Sequence, residues 1–455
     1  QAWKMIKDGR RRIVVGARSA VFAPVENLGL IVVDEEQEAS YKQEEPDPKY
    51  NGRDVAVVRG KIEGAVVVLG SATPSLESFY NVKAGKYTLL HLTERYDKAS
   101  PPRVEIVNLE HERIKNGYRS VVLSQILKEK IEEKLEKGEQ ILLLQNRRGF
   151  SPFIMCQDCR YTETCERCNI TLTYHRKGAL LKCHYCHFSK PVPLKCPQCM
   201  GLHIIYAGVG TQKVEEEILK LFPEARVCRM DLDTTIGRGS HRRLLEEYER
   251  GEYSVLVGTQ MIAKGLDFEN VTLVGVISAD TSIYLPDFRS AERTFQLISQ
   301  VAGRAGRRRK QGEVIIQTSI PENENIIAAT QNDFRGFYKK EFTNRKELSY
   351  PPFSRLINLE FRGRTESEVV EMAEEVCDIL RSGEDGYIML GPSPAPIERI
   401  KRYYRWRIII KVDKDKDPSG DKIRKFLREK LGRYLFQPHP GRVRLSLDVD
   451  PVHML

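Results

Sequence analysis

Residues 28–37 read LGLIVVDEEQ, a short apolar run that ends in three acidic residues and a glutamine. The run is long enough for a buried β-strand and far too short to cross a membrane. Similar runs recur at residues 65–70 (AVVVLG), 140–145 (QILLLQ) and 254–259 (SVLVGT), and helical stretches such as residues 211–222 (TQKVEEEILKLF) lie between them. Apolar strands that alternate with helices predict an α/β fold, in which helices cover both faces of a parallel sheet.

A cysteine-rich segment interrupts this α/β pattern. Eight of the ten cysteines fall between Cys156 and Cys199, and the alternation of strands and helices resumes after them. From about Asp333 the composition changes again, because prolines break the chain at residues 350–353 (YPPF) and 391–396 (GPSPAP). We therefore expect an insertion within the α/β region and a separate α+β domain at the end of the chain.

The overall composition sets only broad limits. The net charge of +10 suits a polyanionic partner such as nucleic acid, and it equally suits a merely basic soluble protein. We identify no signal peptide and no membrane-length apolar run, and cysteines confined to one segment favour bound metal in a reducing cytoplasm over a secreted disulfide scaffold. The first residue, a glutamine inside what looks like a continuing helix, leads us to expect a piece of a longer protein.

The acidic residues after the first apolar run suggest a nucleotide-hydrolysing site. Asp34 and Glu35 follow a buried strand, and carboxylates at that end of a parallel sheet face the crevice where ligands bind. In such a site the first acid would hold Mg²⁺ and the second would polarise the attacking water. For an isolated acidic cluster, a solvated helix start is the plain alternative.

Two further elements favour the catalytic interpretation. The sequence SAT follows the next apolar strand at residues 71–73, and residues 300–307 (QVAGRAGR) end a helix in the second α/β region. Arg304 and Arg307 could neutralise charge that develops on a transferred phosphoryl group, although a basic helix end also satisfies the helix dipole. We expect the acid pair and the arginine pair to converge on one bound nucleotide.

The clustered cysteines form four C-x-x-C pairs. These are Cys156 with Cys159, Cys165 with Cys168, Cys183 with Cys186, and Cys196 with Cys199. Each pair can place two thiolates on one metal, so eight cysteines predict two closed four-thiolate sites with a structural role. Regular pairs of this kind favour Zn²⁺ over iron–sulfur clusters, and the spacing alone does not decide which pairs share an ion. His184 and His187 are spare donors that we interpret as surface residues.

The order of these blocks resembles superfamily 2 helicases, and most closely the replication-restart helicases of the primosomal protein N′ (PriA) family. The resemblance spans essentially all 455 residues and includes the eight cysteines. Its other stretches are GARSAVFAP, VDEEQEASYKQEEPDPKYNGRDVA, GSATPSLES, LQNRRGFSP, GVGTQKVEEE, VGTQMIAKGLDF, PDFRSAERTFQLISQVAGRAGR and YPPFSRL. The resemblance implies two RecA-like α/β lobes, the first truncated at its N-terminal side, with a zinc-binding insert in the second lobe and a C-terminal α+β domain.

The resemblance also implies domain limits and a metal pairing. We assign residues 1–112 to the C-terminal part of lobe 1, residues 113–150 and 201–332 to lobe 2, residues 151–200 to the two-zinc insert and residues 333–455 to the C-terminal domain. The implied pairing is nested. The first and last cysteine pairs bind one ion, and the inner four cysteines bind the other.

The family further implies roles for individual residues. Beyond the acid and arginine pairs, the residues implied in nucleotide contact and coupling are Gln37, Ser71, Thr73, Gly265, Asp267 and Gln300. The DNA-binding candidates are Tyr41, Lys42, Tyr50 and Arg53, in an aromatic and basic loop after the acidic motif, and Thr259 in the coupling block. An ordinary polar surface loop is the alternative for residues 41–53. Residues 398–411 (ERIKRYYRWRIIIK) could bind nucleic acid or the acidic tail of a single-stranded-DNA-binding protein, or form a solvated amphipathic strand.

Two departures from the family affect these expectations. Gln37 stands where the family usually has histidine, and glutamine can hydrogen-bond across a cleft but cannot become a cation. No G-K-[ST] sequence occurs, so the loop that cradles nucleotide phosphates is missing from these 455 residues. We therefore expect this chain alone to hydrolyse no ATP.

The resemblance implies that the full-length protein is an ATP-dependent 3′–5′ DNA helicase, which acts at stalled or abandoned replication forks and initiates primosome assembly. It would use ATP, Mg²⁺ and two structural Zn²⁺ ions. It would act as a cytoplasmic monomer with no membrane contact, and it would engage DNA, the single-stranded-DNA-binding protein and primosome proteins. The alternative is a DNA-bound primosome scaffold whose ATPase is dispensable.

Overall fold

The structure is a computed structural model. It describes residues 2–92, 94, 101–117, 121–145, 153–175, 178–207, 211–230, 240–259, 262, 268, 270–305, 311–381, 386–435 and 443–454. The chain divides into two compact units, one of Gln1–Leu89, Tyr185–His187 and Arg345–Leu455, the other of Leu90–His184 and Phe188–Asn344. None of the helices within the described ranges combines the length and apolar character that crossing a membrane requires.

The first segment is built around two short parallel strands. Its elements are α1 (Ala2–Lys7), β1 (Leu30–Val33), β2 (Lys42–Gln43), β3 (Tyr50–Asn51), α2 (Gly52–Glu63), β4 (Val66–Leu69) and α3 (Leu76–Lys83). Strand β1 pairs in parallel with β4, and β2 pairs antiparallel with β3. Helix α2 begins where the Asn51 side chain accepts a hydrogen bond from the Arg53 N–H, and it ends at Gly64, whose φ of 69° suits glycine.

The second unit contains a six-stranded, all-parallel sheet. Its elements, apart from five short strands in the cysteine-rich segment, are β5 (Arg103–Asn108), α4 (Leu109–Lys115), α5 (Gln125–Glu136), β6 (Gln140–Leu144), α6 (Thr211–Leu221), β12 (Val227–Met230), α7 (Ser240–Glu249), β13 (Val255–Gly258), β14 (Val271–Val276), α8 (Asp280–Ile283), α9 (Ser290–Ala302), β15 (Glu313–Thr318), α10 (Glu324–Thr330) and α11 (Phe334–Glu347). The strand order is β12-β13-β6-β14-β15-β5. Strands β6, β13 and β14 are buried along their whole length, as the apolar runs at residues 140–145 and 254–259 predicted for β6 and β13.

Both ends of this unit differ from the limits expected from the sequence. Strand β5, which lies before residue 112 and was assigned to the first lobe, pairs with β15 along its full length at the edge of the six-stranded sheet. At the other end, α11 was assigned to the C-terminal domain. Its Phe337 ring stacks on Phe295 of α9 at 4.5 Å, so this helix begins within the second unit. At the second of these limits, apolar packing extends past the change in composition near Asp333 that suggested the boundary.

The cysteine-rich segment lies between β6 and α6. It contains β7 (Phe153–Cys156), β8 (Thr173–His175), β9 (Leu180–Lys182), β10 (Ser189–Pro191) and β11 (Ile204–Ala207). Strands β8 to β10 form a small antiparallel sheet, and β7 pairs antiparallel with β11. The pairing of β7 with β11 brings the two ends of the segment together.

The C-terminal domain is an antiparallel sheet covered by two helices. Its elements are β16 (Ser354–Gly363), α12 (Glu366–Arg381), β17 (Tyr387–Ile400), β18 (Tyr403–Asp413), α13 (Asp421–Leu435) and β19 (Val443–Val449), and its strand order is β17-β18-β16-β19. In β16, Ile357, Leu359 and Phe361 alternate with residues of the opposite face and pack with α12 and α13 into one core. This is the α+β domain that the sequence predicted.

Candidate nucleotide site and metal clusters

The acidic motif and the SAT motif lie side by side at the carboxyl ends of β1 and β4. The N–H of Gly70 donates to the carbonyl of Val33 at 2.8 Å, and the N–H of Glu36 donates to the carbonyl of Gly70 at 3.0 Å. The parallel pairing therefore continues past both strands into the two loops. This is the edge of a parallel sheet at which ligands bind, as the sequence predicted for these acids.

Gln37 connects the two motifs through both ends of its amide. The hydroxyl of Ser71 donates to Gln37 Oε1 at 2.5 Å, and Gln37 Nε2 donates to Glu35 Oε2 at 2.6 Å. The hydroxyl oxygen of Ser71 also accepts from the N–H of Thr73 at 3.0 Å. A neutral amide can accept and donate at the same time, so glutamine supports this bridge without a charge. Asp34 remains exposed and Glu35 half-buried at this edge.

Glu36 holds this edge together, although sequence reasoning gave it no role. Its buried carboxylate accepts the Ser75 N–H at 2.6 Å, the Ser75 and Ser78 hydroxyls at 3.0 and 2.8 Å, and Arg53 Nη1 at 3.0 Å. The sequence feature that could have indicated this role is the serine pair at the start of α3, where Ser75 caps the helix and Ser78 follows one turn later. The arrangement ties the acidic motif to the start of α3 and to α2.

Arg53 was predicted to contact DNA, and the structure gives it an internal role. Its guanidinium bonds to Glu36 and to the hydroxyl of Ser75. Burial lowers the pKa of Arg53, but the carboxylates of Asp54 and Glu36 outweigh burial and hold the pKa above its ordinary value. The guanidinium of Arg53 is therefore paired with a carboxylate inside the fold.

Lys42, which was also predicted to contact DNA, is buried within the fold. Its ammonium lies 2.7 Å from Asp448 Oδ1 and donates to the carbonyl of Val449 at 2.6 Å. Sequence reasoning missed this because the partners come from β19, at the far end of the chain.

The two aromatic DNA candidates also make contacts within the fold. The Tyr41 hydroxyl donates to the carbonyl of Asp34 at 2.7 Å, and burial together with the nearby Asp34 charge raises the pKa of Tyr41. Tyr50 packs edge-on against Phe22, with the guanidinium of Arg18 over its ring at 5.7 Å. Arg18 had no assigned role, although it lies in one of the family stretches, GARSAVFAP. Both tyrosines thus stabilise the acidic loop, by which we mean the segment between the acidic motif and α2.

In the second unit, the candidate residues occupy the ends of two elements. Thr259 is buried directly after β13, Gln300 is half-buried near the end of α9, and Arg304 is half-buried just beyond that helix. The other three candidates, Gly265, Asp267 and Arg307, lie outside the described residues. The predicted roles of all six remain predictions.

The eight clustered cysteines gather into two groups of four. One group is Cys156, Cys159, Cys196 and Cys199, and the other is Cys165, Cys168, Cys183 and Cys186. Within each group the sulfur atoms lie within 4.8 Å of one another. This grouping is the nested arrangement that the family resemblance implied.

All four C-x-x-C pairs adopt the same turn. In each, the N–H of the first cysteine donates to the carbonyl five residues later, at 2.7 to 2.9 Å. The residue that follows the second cysteine has a positive φ each time, and these residues are Arg160, Asn169, His187 and Met200. The repeated turn places both sulfur atoms of a pair on one side, which is what a shared metal requires.

The sulfur geometry fits a tetrahedral metal ion. Cys156 Sγ lies 3.6 Å from Cys199 Sγ, and Cys159 Sγ lies 3.5 Å from Cys196 Sγ. Metal–sulfur bonds of ~2.3 Å in a tetrahedron put the sulfurs about 3.8 Å apart. None of these eight described cysteines forms a disulfide bond. Burial opposes ionisation of Cys196, but the N–H groups of Cys199 and Gln198 outweigh burial and lower its pKa to about 7.

The two histidines next to the inner cysteines differ in exposure. His187 is exposed, as expected, whereas His184 is 1% exposed and its Nε2 lies 3.1 Å from Nε2 of His175. The interpretation of His184 as a surface residue was therefore wrong. Neither histidine joins a metal-binding group among the described residues, since four cysteines complete each one.

The end of the β17–β18 hairpin carries a basic and aromatic surface. The guanidiniums of Arg362 and Arg364 lie 4.9 and 5.6 Å from the ring centre of Tyr403. The two residues of the turn, Lys401 and Arg402, are exposed and have positive φ values. Trp406, by contrast, packs against the core. Part of the segment therefore forms a charged surface. Residues 407–411 are buried, the cations of Arg407 and Lys411 included, so the alternative of a solvated amphipathic strand was wrong for this part.

Three family models match this chain. Residues 203–309 match the helicase conserved C-terminal domain, residues 165–191 the PriA DNA helicase Cys-rich region domain, and residues 346–452 the primosomal protein N C-terminal domain. The second match covers the inner cysteines, and the third covers the antiparallel domain.

Full-length relatives match across the whole chain. The replication restart protein PriA of Bacillus subtilis is 48% identical over 455 residues, which is 100% of this chain and 55% of the relative. That of Chlamydia pneumoniae is 42% identical over 99% of this chain and 60% of the relative. That of Rickettsia felis is 37% identical over 98% of this chain and 68% of the relative. The chain thus spans little more than half the length of the first two relatives, and it belongs to the replication restart protein PriA family.

Proposed function

We propose that the full-length protein to which this chain belongs is an ATP-dependent 3′–5′ DNA helicase, which acts at stalled or abandoned replication forks and initiates primosome assembly. The observation that carries the proposal is the bridge from Glu35 through Gln37 to Ser71, because it joins the acid pair to the neighbouring loop at the ligand-binding edge of a parallel sheet. The names of the relatives and the match to a helicase C-terminal domain support it.

In this proposal the residues divide the work of hydrolysis. Asp34 would hold the Mg²⁺ ion that accompanies ATP, and Glu35 would polarise the attacking water. Arg304 and Arg307 neutralise charge on the transferred phosphoryl group, with Asp267 and Gln300 on the nucleotide side. Glu36 acts indirectly, since its bonds to Ser75 and Arg53 fix the loop that carries the two catalytic acids.

DNA and protein partners are assigned to surfaces outside this edge. The basic hairpin end around Tyr403 suits a phosphate backbone or an acidic peptide, such as the tail of a single-stranded-DNA-binding protein. Two Zn²⁺ ions are the metal we assign to the two cysteine groups, since their thiolate geometry and closed coordination suit that ion. A monomer in the cytoplasm, where thiols stay reduced, completes the proposal.

The proposal is tested with the full-length protein and an Asp34→Asn variant. We expect wild-type protein to hydrolyse ATP in response to forked DNA and to unwind it, and the variant to lose at least about 100-fold in hydrolysis, because the amide of asparagine cannot replace the metal-binding carboxylate. Asp8→Asn, at an exposed site after α1, is the matched control and should change neither activity. A variant that loses hydrolysis but still restores replication restart would instead support the scaffold function.

A further inference from the structure

The loop between the acidic motif and α2 rests on the last strand of the C-terminal domain, within one compact unit. Lys42 pairs with Asp448 and donates to the carbonyl of Val449, and Lys49 Nζ donates to the carbonyl of Leu447 at 3.5 Å. Arg444 also pairs with Asp47 at 3.2 Å. Contacts from both ends of the loop therefore run along β19.

The Lys42–Asp448 ion pair is more deeply buried than the neighbouring Arg444–Asp47 pair. The side chains of Lys42 and Asp448 are 4% and 11% exposed, whereas those of Arg444 and Asp47 are 69% and 57% exposed. An exposed ion pair contributes little, but removing one partner of a buried pair leaves the other charge buried without compensation. Lys42–Asp448 is thus the contact that holds the loop to β19.

The Lys42–Asp448 contact is connected to the catalytic acids through the neighbouring residue Tyr41. Lys42 follows Tyr41, whose hydroxyl bonds to the carbonyl of Asp34. Arg18 fixes the same turn, because its Nη1 donates to the carbonyls of Lys42 at 2.6 Å and Ser40 at 3.1 Å. A displacement of Lys42 would therefore move Tyr41 and, through it, the backbone of Asp34.

We propose that Lys42 and Asp448 form a lock by which the C-terminal domain holds the acidic loop in its resting position. In the locked state the ammonium of Lys42 is sequestered from solvent, so it can reach a DNA phosphate only after it leaves Asp448. A phosphate and the Asp448 carboxylate compete for one cation, and the outcome of that competition sets the position of Asp34. Lys42 and Asp448 are positioning residues in this scheme, which rests on the proposed ATPase function.

The test uses the full-length protein with Asp448→Asn, and Arg444→Gln as the matched control on the same strand. We expect Asp448→Asn to raise ATP hydrolysis without DNA by about tenfold, since losing one charge of a buried ion pair shifts the equilibrium between the held and the released loop. Amide exchange of the backbone at residues 42–49 should also become faster. Arg444→Gln should change neither. Lys42→Met should accelerate exchange like Asp448→Asn, and combining the two changes should add little further.

The outcomes separate the lock from the proposed function. Unchanged exchange and unchanged DNA-free hydrolysis in Asp448→Asn would overturn the lock, as would equal effects from Arg444→Gln. A general loss of hydrolysis and stability in Asp448→Asn would also count against it, because such a loss indicates only a structural role. If wild-type protein hydrolyses no ATP, the proposed function fails, while the exchange measurement still decides whether Asp448 holds the loop.

Discussion

Glu36 shows how one buried side chain can organise a site without touching a ligand. Its carboxylate is 2% exposed and receives hydrogen bonds from two serines and an arginine. A buried carboxylate is tolerated when its lone pairs are satisfied and a cation faces it, and both conditions hold here. The cost of removing the charge should therefore exceed that of losing an exposed ion pair.

We expect Glu36→Gln to lower the local free energy of unfolding by about 2–3 kcal/mol, because an amide NH₂ cannot accept the hydrogen bonds that one carboxylate oxygen accepts and because one of the two charges facing Arg53 is lost. Native-state amide exchange over residues 30–37 and 70–80 measures this local stability. The matched control is Glu63→Gln on the same helix as Arg53, where the Arg59–Glu63 pair is partly exposed and a loss below about 0.5 kcal/mol is expected. Equal losses in the two variants would show that the Glu36 network adds nothing special.

Single residues were the hardest to predict from the sequence. Asp34 and Glu35 were placed at the right edge because a parallel strand defines where its carboxyl end lies. The ion pairs that Lys42 and Arg53 form inside the fold were not predicted, because basic residues in a polar loop usually point into solvent. Their acidic partners, Asp448 and Glu36, depend on tertiary packing that no local pattern records.

At the scale of elements, charge also fixes helix α5 on the six-stranded sheet. Glu313 at the start of β15 pairs through one oxygen with Lys130 and through the other with Lys134, both at 2.8 Å. Burial opposes ionisation of Glu313, but the hydrogen bonds from the two lysines outweigh it, so its pKa lies below the usual 4.5. The contact therefore stabilises the fold only while Glu313 is ionised.

Because only ionised Glu313 stabilises the fold, the loss of stability caused by Glu313→Gln should depend on pH. The folded-state pKa is lower than the unfolded-state pKa, so the stabilisation is fully present above about pH 4.5 and is lost as the pH falls through the folded-state value. We expect the variant to be about 1 kcal/mol less stable at pH 7, after allowance for solvent screening, and the difference to disappear in acid. Thermal unfolding from pH 3 to 8 measures it, with exposed Glu136→Gln on α5 as control. A difference that does not change with pH would refute the ionic explanation.

Elements were predicted better than their boundaries. The apolar sequences of β6, β13 and β14 identified the buried centre of the sheet. Strand β5 was assigned to the wrong side of a boundary because its sequence, RVEIVN, mixes polar and apolar residues, as suits an edge strand. Only its pairing with β15 shows where it belongs.

At the scale of the whole molecule, the nested cysteine groups follow from the antiparallel pairing of β7 with β11. That pairing places Ile204 opposite Cys156, so the first and last cysteine pairs meet at the base of the segment. The inner pairs then lie along the part of the chain between them. The spacing of the cysteines predicted two sites, whereas their pairing needed either this topology or a family resemblance.

Two separate groups with four ligands each predict how metal is lost. We expect the purified protein to contain two zinc ions per chain and Cys199→Ser to retain one, because the inner group keeps all four ligands. Cys228→Ala is the control and should retain both ions, since Cys228 lies in β12 and belongs to neither group. Elemental analysis measures the ions, and the visible spectrum distinguishes colourless zinc from a coloured iron–sulfur cluster. Chelation should expose the amides of residues 153–207 to exchange while β6, β13 and β14 stay protected, because the sheet has its own apolar core. Loss of both ions from Cys199→Ser, or iron with visible absorption, would contradict two independent zinc sites.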